Sequence, residues 1–238
     1  MAMKILGIIP ARGGSKGVPG KNIKLLNGKP LLAYTAKSAL SAKGLTKVVL
    51  STDDTKIADI GRSLGLEVPF LRPADLAQDS SPTLPVIQHA LDFYEELGEH
   101  FDAVCLLEAT SPFRYEGLID DSISRFLSLD ADALVSVLPI PATYNPHWAF
   151  EPDNSGYLHI ATGETIIIPR RQELPKAFHR DGAIYLTKSK IIKEGSLYGR
   201  TLAFLENNPK CYVNIDTQQD WEEAEHWLTD PSNISLLS

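Results

Sequence analysis

The stretch from Ile9 to Asn22, I-P-A-R-G-G-S-K-G-V-P-G-K-N, gathers the residue types that hold a polyphosphate. Gly13, Gly14, Gly17 and Gly20 let the backbone approach a ligand and turn its N–H groups toward an anion. Arg12, Lys16 and Lys21 add positive charge, and Ser15 adds a hydroxyl. The stretch is not a Walker A loop: Gly14 and the Gly20–Lys21 pair are one residue too far apart, and Asn22 stands where Ser or Thr is required. Nor does it read GxGxxG.

Bulk composition sharpens this reading. The chain has 238 residues, 43% of them hydrophobic, which suffices for a sizeable core, and a net charge of −7. That net charge argues against a nucleic-acid binder held by a basic face, so an anionic ligand must be held by a local cluster of cations. Cys105 and Cys211 sit in apolar runs without CxxC spacing and read as buried thiols of a reducing cytosol. The N-terminus lacks a signal-peptide core, and no run is long enough to span a membrane. The expectation is a soluble, cytoplasmic protein; Ala2 reads as a cloning insertion. The histidines show no metal-ligand spacing, so His89 and His179 are expected to be structural, and Trp148, Trp221 and Trp227 to pack.

The elements that position the glycine-rich stretch follow from periodicity. Lys4–Ile9 is a nearly all-apolar run, as expected for a strand covered on both faces. A helix over 30–43, a strand at Lys47–Ser51 and a helix over 54–64 follow. Pro69, Pro73, Pro82 and Pro85 break the pattern into a long loop, a common place for function. A helix over 85–97, a strand at Ala103–Glu108, a helix over 116–129 and a strand at Ala133–Leu138 complete an alternating order. This order predicts an α/β fold with a mostly parallel, doubly wound sheet. The glycine-rich stretch then lies at the carboxyl edge of the first strand, where open sheets bind ligands. Residues 139–179 change character and read as an insertion, with a hairpin around 152–156. The core, 1–138 and 180–230, resumes with strands at Ala183–Thr187 and Cys211–Ile215. A last helix, over 220–228, is capped by Thr217, and 231–238 reads as a poorly ordered tail.

The chain resembles the CMP-sialic acid synthetases, the acylneuraminate cytidylyltransferases, whose opening IPARxGSKGxxxKN is reproduced in full. The resemblance runs from about Lys4 to Leu228. It recurs at Arg72–Ala77 (RPADLA), Leu106–Arg114 (LLEATSPFR), Arg171–Pro175 (RQELP), Asp181–Tyr185 (DGAIY) and Ile215–Trp221 (IDTQQDW). It implies a Rossmann-like nucleotidyltransferase fold in which the insertion is a homodimerisation arm. It also implies transfer of CMP from CTP to the anomeric hydroxyl of a nine-carbon 2-keto-3-deoxy acid such as N-acetylneuraminate, with release of pyrophosphate. Legionaminate, pseudaminate, KDN and a KDO-type sugar are alternative acceptors. An inactive nucleotide-binding regulatory module is the alternative from another class.

The resemblance also implies roles. Arg12, Gly14, Ser15 and Lys21 bind the CTP phosphates, with Asn22 close by; Arg72 and Thr83 line the cytidine pocket. Arg12, Lys16, Lys21 and Asp216 carry catalysis. Glu108, Thr110, Ser111, Arg170 and Arg171 lie toward the sugar, the two arginines suited to its carboxylate through paired hydrogen bonds. Arg114 reads equally as a ligand-binding or a structural residue. Mg²⁺ is expected on Asp216 and Asn214, two apart on a presumed strand and so on one face. Asn214 departs from the family's aspartate and Glu108 from its usual glutamine. The base that deprotonates the attacking hydroxyl stays open between metal-bound water and a carboxylate near Asp216.

Overall fold

Strand β1 (Ile5–Pro10) is apolar on both faces because both faces are covered. Ile5 and Ile9 enter one core cluster, Leu6 and Ile8 the other, each at most 1% exposed. The computed structural model of the chain describes residues 3–237, so Ala2 lies outside the described residues. After β1 come β2 (Leu25–Leu26) and β3 (Lys29–Pro30), a small hairpin, then α1 (Leu31–Ser41), β4 (Lys47–Ser51), α2 (Thr55–Ser63), α3 (Thr83–Glu96), β5 (Ala103–Leu106), α4 (Leu118–Leu129) and β6 (Ala133–Pro139). The remainder is β7 (Phe150–Pro152), β8 (Leu158–Ile160), β9 (Phe178–Lys188), α5 (Ser189–Lys193), β10 (Leu202–Glu206), α6 (Gln218–Trp227) and α7 (Pro231–Ile234).

The main sheet has the order β10-β6-β9-β5-β1-β4. Strand β1 pairs in parallel with β4 and β5, and β9 runs antiparallel to β5. Ile57 of α2 and buried residues of α1 and α4 fill the cluster around Ile5 and Ile9, and those of α3 and α5 fill the cluster around Leu6 and Ile8. This is the mostly parallel, doubly wound arrangement expected from the sequence.

The chain divides into two compact units, one comprising the residues up to Ser136 and from Asp181 onward, the other Val137–Arg180. Within the second, β7 and β8 form a hairpin with Phe150 opposite Ile160. Its turn is held by Asp153, whose Oδ1 accepts the Ser155 and Tyr157 N–H groups. Tyr144, Tyr157, Leu158 and Ile166 of this unit are exposed.

Three local expectations are corrected. Helix α3 begins at Thr83 rather than Pro85, because a proline in the first turn forfeits no helical hydrogen bond. Cys211–Ile215 is not a strand. Pro209–Cys211 forms a 3-10 turn, capped by the Asn208 side chain on the Lys210 N–H at 3.0 Å. Cys211 and Ile215 then pack with Val18 and Trp221 in a third cluster, and the edge strand is β10, which the sequence reading missed. The segment after Asp230 is not irregular: α7 and a 3-10 turn at Ser235–Leu237 follow, Leu236 and Leu237 pack on that third cluster, and Glu116 N–H donates to the Leu236 carbonyl at 3.0 Å. The cap of α6 forms as expected, with the Thr217 and Asp220 side chains each accepting the other's backbone N–H. Cys105 and Cys211 are free and buried.

Candidate functional site: a cationic cleft at the carboxyl edge of the sheet

The carboxyl end of β1 delivers the glycine-rich stretch into a cavity of about 380 Å³. Ala11 N–H donates to the Ser51 carbonyl at 3.0 Å, anchoring the stretch to the end of β4. Asn22 is buried and its amide donates to the Arg12 carbonyl at 3.0 Å, pinning the loop from its far end. Gly17 has a packing reason as well: a Cβ there would lie 1.9 Å from the Asp216 carbonyl oxygen. The loop must therefore lack a side chain at 17 to meet the segment that carries Asp216.

The cavity brings together Arg12, Ser15, Lys16, Lys21, Asn22, Arg72, Thr83, Glu108, Thr110 and Asp216. Gly14, Ser111 and Asn214 lie outside its lining. Ser111 is buried and donates weakly, at 3.4 Å, to the Asp181 carbonyl. Arg170 and Arg171 belong to the Val137–Arg180 unit, where both are exposed. Arg170 pairs there with Glu173 at 3.5 Å. His89 sits edge-on to Phe70 within the helical layer, centroids 4.7 Å apart.

Each cation of the loop already has a carboxylate. Lys21, only 8% exposed, donates to the Ile215 carbonyl at 2.5 Å and pairs with Asp216 at 3.2 Å. Arg12 and Lys16 pair with the two different oxygens of Asp79, whose carboxyl they hold below the usual carboxylate range through these hydrogen bonds. Asp79 lines the same cavity and went unnoticed in the sequence, where an isolated loop aspartate has no period or motif to mark it. An anionic ligand at Arg12 and Lys16 must displace this carboxylate. Asp79→Asn is expected to tighten binding of a polyphosphate several-fold, read by titration calorimetry with inorganic triphosphate at low and high salt. Unchanged affinity in that variant would mean that the contact with Asp79 is exchanged for water at no cost.

Glu108 follows β5 into the cavity. Burial pushes its carboxyl up to about 7, Arg114 opposes the rise, Asp216 adds to it, and Lys21 and Arg72 oppose it further. A carboxyl raised above its ordinary value of 4.5 favours the fold while protonated, so that contribution is complete below 4.5 and lost as pH rises through about 7. Without divalent ions, Glu108→Gln should melt near the parent at about pH 4.5 and above it at about pH 8. A constant difference in melting midpoint across that window would place the carboxyl in water.

Arg114 is internal. It is 1% exposed, and it donates to the Ala183 carbonyl from Nε (3.0 Å) and Nη2 (2.8 Å), to Thr35 Oγ1 (3.0 Å) and to the Glu108 carbonyl (3.0 Å). Of its two readings the structural one holds: it fixes the backbone at Glu108.

A mostly parallel sheet whose carboxyl edge carries a glycine-rich, cationic loop over a polar cleft defines a nucleotide-binding α/β protein. Residues 6–225 match the cytidylyltransferase family, and the chain belongs to it. It is 36% identical over 225 residues to a CMP-N,N'-diacetyllegionaminic acid synthase of Legionella pneumophila, covering 94% of this chain and 95% of that one. It is 32% identical to a pseudaminic acid cytidylyltransferase of Campylobacter jejuni, covering 93% and 95%. It is 30% identical to an N-acylneuraminate cytidylyltransferase of Escherichia coli, covering 94% of this chain and 52% of that longer one. In fold, it superposes on a CMP:2-keto-3-deoxy-manno-octonic acid synthetase complexed with CTP with a TM-score of 0.70 at 16% identity, covering 95% of this chain and 98% of that one. Family membership makes the chain a nucleotidyltransferase. Among the described residues no helix is long and apolar enough to cross a membrane.

Proposed function

We propose that the protein transfers CMP from CTP to the anomeric hydroxyl of a nine-carbon 2-keto-3-deoxy sugar acid. The observation that carries this reading is the convergence of Arg12, Lys16, Lys21, Arg72 and Asp216 on one cleft of nucleotide size. The relatives named for legionaminic, pseudaminic and N-acylneuraminic acids support an acid of this class.

In the reaction the hydroxyl oxygen bonds to the α-phosphorus and gives up its proton to water or to a carboxylate near Asp216, the bond to the β-phosphate bridging oxygen breaks, and pyrophosphate leaves. The negative charge grows on the leaving group, where Arg12, Lys16 and Lys21 neutralise it. Ser15 adds a hydroxyl donor in the same cradle. Arg72, buried in the cleft wall, and Thr83, at the start of α3, bind the cytosine end. Thr110 and Glu108 face the sugar, with Ser111 buried behind them.

Mg²⁺ is the metal we propose, and the donors fit it. Two hard carboxylates, Asp216 and Glu108, line one cavity, and Mg²⁺ takes one or two carboxylates together with phosphate oxygens and water. Among the described residues no group of three His, Cys, Asp or Glu is placed to hold a metal ion, so phosphate oxygens and water would have to complete its shell. Bound there, the ion would screen the triphosphate charge. Asn214 supports Asp216: its amide donates to Asp216 Oδ2 at 2.7 Å, while its oxygen faces Ser111 Oγ at 3.5 Å. Asn214→Asp is expected to lower the Mg²⁺ concentration for half-maximal rate by about tenfold, since it puts a second negative charge beside Asp216 in place of the amide donor. An unchanged Mg²⁺ titration would put residue 214 outside the metal shell.

We also propose that the 139–179 segment is a homodimerisation arm that brings Arg170 and Arg171 to the sugar carboxylate of the partner's site. The two buried free thiols support a cytoplasmic location. The deciding experiment measures pyrophosphate release with CTP and Mg²⁺ across eight- and nine-carbon 2-keto-3-deoxy acids. Turnover confined to nine-carbon acids is the expected result. CTP binding with no release from any acid would sink this acceptor class, in favour of a sugar outside the panel or of a binding module.

A further inference from the structure

The phosphate loop and the base-side arginine share one counter-charge that neither motif contains. Asp53 follows β4, next to the point where Ala11 is anchored. Its Oδ1 accepts the Gly13 N–H at 3.1 Å and lies 3.6 Å from Arg72 Nη2. Arg72 reaches the same place from the long loop, its backbone N–H donating to the Thr52 carbonyl at 2.8 Å. Its side chain is 4% exposed. Its Nε is buried and without a hydrogen-bond partner, a donor left over in the wall of the cleft.

Burial lowers the Arg72 pKa, and Asp53 opposes this more than any other group, ahead of Glu108. A carboxylate beside a guanidinium this deep offsets its loss of hydration, and Asp53 is the carboxylate at 3.6 Å. Asp54 does not perform this task, because its Oδ1 is occupied capping α2 through the Lys56 and Ile57 N–H groups at 2.7 and 3.1 Å. Asp53 is therefore the one of the adjacent pair that joins the loop to the arginine.

We propose that Asp53 is a positioning residue that holds the Gly13 end of the phosphate loop and the Arg72 guanidinium in register, so that base discrimination and triphosphate binding are set together. This rests on the reading of Arg72 as a base-side residue. Asp53 touches no substrate in this scheme; it acts through Arg72 and the Gly13 amide.

Asp53→Asn separates its two contacts, since the amide oxygen still accepts from Gly13 while the charge facing Arg72 is gone. The test uses the full chain with Mg²⁺ and measures binding of CTP and UTP by calorimetry, with kcat and KM for CTP alongside. Asp53→Asn is expected to reduce the preference for CTP over UTP by about tenfold and raise KM for CTP, with kcat changed by less than about threefold. Asp53→Glu should recover part of the preference, which a merely structural role would not predict. Arg72→Ala gives the reference. If it abolishes the preference while Asp53→Asn stays within about twofold of the parent, the proposal is overturned and the base-side reading of Arg72 survives. If Arg72→Ala leaves the preference intact, the base-side reading falls and the proposal falls with it. Should Asp53→Asn lower the melting midpoint, the double variant decides: a preference equal to that of Arg72→Ala alone supports the coupling, and a further loss overturns it.

Discussion

Lys21→Ala is expected to reduce turnover by about a thousandfold at a cost to the fold of only about 1–2 kcal/mol, for the Ile215 carbonyl left without its donor. The two effects separate because of where Lys21 sits. Its ammonium is buried at the junction of the phosphate loop and the Asp216 segment, bonded to the Ile215 carbonyl at 2.5 Å. Removing it deletes a fixed positive charge from the place where the triphosphate is proposed to lie, and a charge positioned out of water is worth far more than a solvated one. The cost to the fold is smaller. Asp216, its ion-pair partner, has a side chain 62% exposed and is hydrated when the lysine is lost. Steady-state kinetics beside a thermal melt checks both halves. Activity within about tenfold of the parent would remove Lys21 from the phosphate cradle.

Arg114→Met should have the opposite signature. The substitution keeps the length of the apolar stem but leaves the Ala183 and Glu108 carbonyls and Thr35 Oγ1 without their donor. Unsatisfied buried acceptors of this kind cost about 3–5 kcal/mol together, and denaturant unfolding should show a loss of that order. The Arg114 pKa is lowered to about 10 by burial, so the group is still charged at neutral pH. Below that value the loss should vary little with pH. Nucleotide affinity of the folded fraction should fall only modestly, because Arg114 does not line the cleft and reaches it through the Glu108 carbonyl and its field on the Glu108 carboxyl. A variant as stable as the parent would mean that water replaces the guanidinium, in a core where Phe113 and Ala183 are 1% and 2% exposed.

The residues that proved legible share a local cause. Strand β1 is readable because a strand buried on both faces must be apolar throughout, and the helix caps because they rely on side chains a few residues away. The extended run Cys211–Ile215 was misread for the same reason: apolar, β-branched residues satisfy the strand pattern whether their partner is a neighbouring strand or α6. Nothing local distinguishes those cases, since the choice is made by which backbone groups find a ladder. Asp79 and Asp53 were missed because their roles consist entirely of contacts with residues far along the chain, Arg12 and Lys16 for one, Gly13 and Arg72 for the other.

By itself, the order of apolar runs and helical periods determined an alternating α/β fold. The glycine-rich cationic stretch placed an anion site at its carboxyl edge. Both are properties of contiguous residues, where backbone freedom and charge density are written in a few neighbouring positions. Only the tertiary structure decided that Arg114 is internal, that Asn214 bonds to Asp216 rather than lining the cleft, and that every loop cation meets a carboxylate. Charge pairing and burial depend on distance in space, and a residue's neighbours across the sheet are set by the register of the whole fold.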